Sequence, residues 1–69
     1  MSNNKKYSTR TKKPPIGQKC LFEIYYVNDD NLVTIEERKG SRSGNDLYNI
    51  DGYEKRLSSG IVKFWQLVN

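Results

Sequence analysis

KCLFEIYYV, residues Lys19–Val27, carries five aromatic or β-branched residues in nine and neither Gly nor Pro, which is the composition of a β-strand. Alternation puts Cys20, Phe22, Ile24 and Tyr26 on one side and Leu21, Glu23, Tyr25 and Val27 on the other. Only the first set is free of charge, so it is the expected core face. Asn28-Asp29-Asp30-Asn31 follows, four residues that tolerate left-handed backbone and cap their own peptide groups, and therefore a turn. A second strand is expected at Leu32–Lys39, with Val33 and Ile35 facing one way and Thr34, Glu36 and Arg38 the other.

Further along, Gly40–Asp46 (GSRSGND) has two glycines and no apolar residue, so it is expected to be a loop. Leu47–Ile50 is a short strand closed by Asp51-Gly52, a strong turn pair. Glu54–Ser59 reads as one helical turn or a loop, ended by Gly60. Ile61–Val68 (IVKFWQLV) is the densest apolar stretch, with Val62, Phe64 and Val68 alternating with Ile61, Trp65 and Leu67. A strand apolar on both faces belongs inside a sheet, and its expected place is beside the first strand. The expected fold is mainly β: a small four-stranded antiparallel sheet curling into a barrel or half-barrel.

The N-terminal side has a different character. Lys5, Lys6, Arg10, Lys12, Lys13 and Lys19 give residues 1–19 a charge of +6 with no acid, while residues 20–69 hold six basic and eight acidic residues, a charge of −2. Residues 1–15 contain no aliphatic side chain after Met1, so they are expected to form a flexible basic arm, with Pro14-Pro15 as its seam to a β domain at residues 16–69. Such an arm either keeps the chain soluble or tracks phosphates, with Tyr7 as a stacking ring.

Composition narrows the chemistry. The chain has 69 residues, one cysteine and no histidine. It therefore has no internal disulfide, no Cys/His metal site and no Ser-His or Cys-His catalytic pair, and neither a cofactor nor enzymatic activity is expected. Cys20 sits in an apolar strand and reads as a small core hydrophobe. Asn49-x-Asp51-Gly52 matches the middle of a calcium loop, but its first and twelfth positions would be Leu47 and Ser58, which rules it out. Gly40–Gly44 has the glycine spacing of a phosphate loop without its Lys-Ser/Thr ending. No apolar run reaches the length of a membrane span and none follows the basic start, so the expected setting is cytoplasmic, with no signal peptide and no membrane partner.

Tyr25, Tyr53 and Trp65 are the candidate recognition aromatics, because they fall opposite the expected core face or in a loop. Arg38 and Arg42, with Lys39, add a basic corner. Exposed Tyr, Trp and Arg are the residue types that anchor protein interfaces, and the rings also serve as platforms for unpaired bases.

Pro14-Pro15-x-Gly17 leading into Cys20-Leu21-Phe22, then Tyr48-x-Ile50-Asp51-Gly52-Tyr53, then Ile61-Val62-x-x-Trp65-x-Leu67, resemble a small domain of unknown function found widely in bacteriophage and prophage genomes. The resemblance covers residues 14–69, with Phe64 where its members typically carry a histidine. It implies a phage accessory protein acting inside a bacterial host cell, and no catalytic residues come with it. Three functions are therefore open. The first is a phage-type binding protein that docks on a bacterial host protein or defence complex and inhibits or modulates it, through Tyr25, Tyr53, Trp65, Arg38 and Arg42. The second is a DNA- or RNA-binding protein that uses Lys5, Lys6, Arg10, Lys12, Lys13 and Lys19. The third is a small virion structural protein.

Overall fold

The computed structural model describes residues 5–68. Its regular structure is all β: β1 (Tyr7–Ser8), β2 (Lys19–Val27), β3 (Val33–Gly44), β4 (Leu47–Ile50), β5 (Leu57–Ser58) and β6 (Val62–Leu67). These form one antiparallel sheet in the order β1-β6-β2-β3-β4-β5. Six strands stand where four were expected, and the sheet is open, with β1 and β5 at its edges, so it is not closed into a barrel. The two unforeseen strands are two residues long, too short for alternation to show in sequence.

β2 occupies the residues its composition indicates and lies between β3 and β6. Its uncharged side supplies the core: Cys20, Phe22 and Ile24 are at most 1% exposed, and they pack with Tyr48 and Ile50 of β4 and Val62 and Trp65 of β6. We call this the inner face. The rings of Phe22 and Tyr48 meet edge-on, with centroids 5.2 Å apart. Tyr48 is fully buried, and its hydroxyl has no partner among the described residues. The Asn28–Asn31 turn forms as expected: Asn28 Oδ1 accepts from the Asp30 and Leu32 amides, and Asn31 adopts φ 59°.

The expected loop at Gly40–Asp46 is mostly strand. β3 continues through Gly44, pairing first with β2 and then, from Gly40, with β4. Gly40 allows this because a Cβ there would lie 2.3 Å from the Asn49 carbonyl oxygen, a distance only a bare α-carbon permits. A register shift between Arg42 and Gly44 and a left-handed Asn45 (φ 48°) then turn the chain tightly into β4. Glycine marks a close approach of two strands here, which composition alone cannot tell from a flexible linker.

β6 corrects a second expectation. Simple alternation puts Val62 and Trp65 on opposite faces, yet Val62 is fully buried and Trp65 is 3% exposed in the same cluster. Phe22 pairs with Trp65 and Glu23 with Phe64, but Ile24 pairs with Val62, so Lys63 is an extra residue in the ladder. This bulge rotates the start of β6 by one position and turns both side chains inward. Phe64 faces outward, 6.0 Å from Tyr25.

The basic arm gives the largest difference. Residues 1–4 of it lie outside the described residues, but part of its remainder joins the body: Tyr7 and Ser8 form β1, and Thr9 and Pro14 are buried. Tyr7 and Ser8 pair with Trp65 and Phe64. Thr9 is fully buried, its amide donating to Lys63 O (2.9 Å) and its hydroxyl to Val62 O (2.7 Å). Trp65 Nε1 donates to the Lys12 carbonyl at 2.7 Å, and the Tyr7 ring lies over the indole, 4.9 Å between centroids. Pro14 is buried and its carbonyl accepts from Arg42. Threonine and tyrosine supply here what aliphatic residues were expected to supply. Among the described residues no helix is long and apolar enough to cross a membrane.

Candidate functional site: an apolar recess rimmed by Glu36, Arg38 and Tyr53

Beyond Ile24, the inner face of β2 is not filled. Ile24 and Tyr26 form one wall of an open recess of about 380 Å³, and Tyr53, Leu57 and Ile61 form the rest. The segment after β4 creates it. The Asp51-Gly52 turn, closed by Tyr53 N–H to Ile50 O at 3.0 Å, carries the chain away from β3 and back over the inner face. Gly52 suits this turn because its φ of 92° is left-handed, and a Cβ there would also displace the Arg38 guanidinium, whose Nη1 would lie 2.5 Å away.

The rim is polar and ordered by its own contacts. The Tyr53 hydroxyl donates to Glu36 Oε1 at 2.8 Å, and Arg38 Nη2 donates to Glu36 Oε2 at 3.0 Å. Arg38 Nε is also 2.9 Å from Glu36 Oε1, an ion-pair distance without hydrogen-bond alignment, which leaves that N–H unpartnered. The guanidinium lies 5.5 Å from the Tyr53 ring centroid, and Nη1 reaches the Asp51 carbonyl at 3.4 Å. The hydrogen bond from Arg38, then that from Tyr53, holds the Glu36 carboxyl below its usual range. The same hydrogen bond to Glu36 pushes the Tyr53 phenol up, and Glu36 likewise raises Arg38. Both carboxylate oxygens of Glu36 are thus occupied and the group is held ionised. That arrangement is suited to presenting charge beside an apolar surface, not to passing a proton.

Of the five residues expected to bind a protein partner, the structure brings two together here, Arg38 and Tyr53. Trp65 is in the core and Arg42 ties the chain entry, donating to Pro14 O and Asn45 O. Tyr25 lies on the outer face against Phe64, its hydroxyl 3.4 Å from Glu23. The recess is also lined by Ile24, Tyr26, Leu57 and Ile61, with Glu36 held beside it by the Tyr53 hydroxyl, and none of these was among the expected partner-binding residues. Tyr26 had a signal: it continues the core alternation past the point where β4 and β6 can cover it, and it stays 40% exposed.

The six basic residues do not form one track. Lys6 is ion-paired with Glu23, Lys13 with Asp46, and Lys19 with Asp51 at 3.3 Å. Glu23 raises Lys6, and Lys13 holds Asp46 low. Lys5 and Lys12 lie over the Tyr7 ring at 5.6 and 4.4 Å, with Arg10 exposed nearby in sequence. The outer-face depression lined by Lys6, Leu21, Glu37 and Phe64 has no room for a water molecule. Burial raises the Cys20 thiol, as expected for an inert core cysteine. Among the described residues no three His, Cys, Asp or Glu side chains gather as a metal site. No protein family, curated protein or solved structure matches this chain.

Proposed function

We propose that this chain is a non-enzymatic binding protein that docks on another protein, taking an apolar side chain of its partner into the recess beside Glu36, Arg38 and Tyr53. The observation that carries this reading is the pairing of an uncovered apolar wall with a charged rim already fixed by hydrogen bonds. The rim loses little freedom on docking, which lowers the entropic cost of association. The recess is open, whereas small-molecule pockets enclose most of their ligand, so a protruding side chain of a larger surface fits it better. A bacterial host protein as the partner, and its inhibition or modulation as the outcome, follow from the phage-type resemblance of residues 14–69. Affinity capture from bacterial lysate, with nuclease present, tests the proposal. The intact chain should retain a stoichiometric protein that Tyr26→Ala, a substitution at a partly exposed position, fails to retain. Capture of no such protein, or equal capture by the folded variant, would count against it.

A nucleic-acid reading retains one specific support, the grouping of Lys5 and Lys12 around Tyr7. Three of the six basic residues are already ion-paired, so its salt dependence on a single strand should be shallower than six free cations give, by about 0.7 in log–log slope per cation withheld. A retention assay on single-stranded DNA at graded salt measures that slope.

A further inference from the structure

The long β3 strand has a neighbour on both sides only over part of its length. Its first half pairs with β2, but β4 begins to pair with it only at Gly40, so residues 33–38 form an open edge. Which backbone groups face that edge follows from the hydrogen bonds further along. The Lys39 carbonyl points to the β4 side, accepting from Asp51 N at 2.9 Å, and the Arg42 carbonyl points to the opposite side, accepting from Gly17 N at 3.0 Å. Peptide groups alternate along a strand, so Val33, Ile35 and Glu37 direct their N–H and C=O groups outward, with no strand among the described residues to receive them. Unlike many natural edges, this one has no proline and no bulge over that run. Its outer-face side chains are apolar at two of three positions: Val33 is 63% and Ile35 56% exposed, continuous with Val27 at 61% on the neighbouring strand.

We infer that β3 is a dimerisation edge, joining a second copy of this chain in antiparallel register about a two-fold axis at Ile35. The register is selected by two independent conditions. Outward-facing residues must oppose outward-facing residues, which allows two-fold centres one residue apart along β3. Centring on Ile35 pairs Ile35 with its copy and Val33 with Glu37, so every open backbone donor and acceptor from 33 to 37 is used. Centring on Thr34 would oppose Glu37 to Asn31, which is left-handed and outside the strand. Centring on Glu36 or Glu37 would set a carboxylate directly against its copy, which is unfavourable. In the Ile35 register Glu36 faces Thr34 and Glu37 faces Val33, and no like charges oppose. The two-fold also brings outer face to outer face, merging the Val27, Val33 and Ile35 strips of the two copies. This interface shares Glu36 with the rim of the inner-face recess but does not depend on the role of the recess.

Sedimentation equilibrium of the full chain from micromolar to millimolar concentration should show a monomer–dimer equilibrium. Ile35→Lys and Ile35→Glu, at an exposed position, should each weaken association by about tenfold or more, because each sets like charges face to face at the axis. An equimolar mixture of the two should restore it, since only this register puts residue 35 opposite residue 35. Circular dichroism of each variant confirms that the fold is kept. A monomer at all concentrations, variants that dimerise as the unmodified chain does, or a mixture that stays monomeric while both variants are folded would overturn the inference.

Discussion

Residues 7–14 and the tip of the β2–β3 hairpin invert what their compositions imply. The first stretch is polar and basic, yet it contributes a strand, a fully buried Thr9, a buried Pro14 and the cover of the only tryptophan. The second holds Val27, Leu32, Val33 and Ile35, all between 56 and 63% exposed. The difference is one of position, not hydropathy. The first stretch runs beside β6, where backbone groups need a strand and the Trp65 indole needs both a ring above it and an acceptor for its N–H. The hairpin tip extends past the last residues of β4 and β6 that could cover it, so its apolar side chains meet no second layer among the described residues. What is buried is decided by where the sheet has neighbours.

Removing residues 1–13 breaks this comparison most directly. A detached tail could be cut without effect, but this segment takes with it the Tyr7 cover, the Thr9 bonds and the acceptor of the Trp65 N–H. Burying an aromatic ring contributes about 1.5–3 kcal/mol and each hydrogen bond exchanged for water about 0.5–1.5 kcal/mol. A chain of this length has only roughly 3–10 kcal/mol in total. The truncated chain should therefore lose cooperative thermal unfolding, with the tryptophan emission shifted to the red at 25 °C. An unchanged unfolding midpoint would return the segment to the status of a tail.

Thr9→Val tests one contact of that segment while conserving its shape. The hydroxyl is buried and donates to Val62 O, so its loss should cost about 1–3 kcal/mol, read as a lower midpoint in urea with an unchanged slope. Tyr48→Phe should act in the opposite sense. Its fully buried hydroxyl has no partner among the described residues and burial raises the phenol, so removing the oxygen should stabilise the chain by about 1 kcal/mol.

The main elements of the sheet were legible because β2 is long enough for alternation and composition to agree, and its core residues Cys20, Phe22 and Ile24 followed from that alone. β1 was not, since two polar residues form a strand only because β6 is already beside them. Gly40 carried a real signal that was read as flexibility, because a close backbone approach and a loop both call for glycine. The inward turn of Trp65 depends on the single extra residue Lys63, and a bulge leaves no mark in an apolar run. Two of the three rim residues were visible, Arg38 and Tyr53, as the residue types that anchor interfaces. Glu36 was not, because nothing local to it predicts that Asp51-Gly52 will bring a tyrosine hydroxyl within 2.8 Å.

The ion pair between Lys13 and Asp46 tethers the end of the N-terminal segment to the β3–β4 turn and gives a smaller, pH-dependent effect. The hydrogen bond from Lys13 holds the Asp46 carboxyl low, so its pKa is lower folded than unfolded. Its stabilising contribution is complete above the unfolded carboxylate range and is lost as pH falls through the folded value. Glu36, held low first by Arg38, behaves in the same way. Both groups are solvent-accessible, so the effect is modest and screened by salt. The thermal midpoint should drop on acidification through the carboxylate range, and D46N should flatten part of that drop at low ionic strength.

The smallest expected effect belongs to the hairpin tip, and it sharpens the comparison from the other side. Val27→Thr and Leu32→Ser remove apolar groups that already stand in water, so at dilutions where the chain is monomeric each should change stability by no more than about 0.5 kcal/mol. Ile24→Ala, only three residues from Val27 on the same strand, should cost about 2–5 kcal/mol, because Ile24 is 1% exposed in the core cluster. If the tip substitutions cost as much as the core one, the tip must be covered by something within the monomer and the open β3 edge would have no free surface to offer. If they are silent in dilute solution but weaken association at high concentration, the same apolar side chains that contribute nothing to the fold are the ones used between copies.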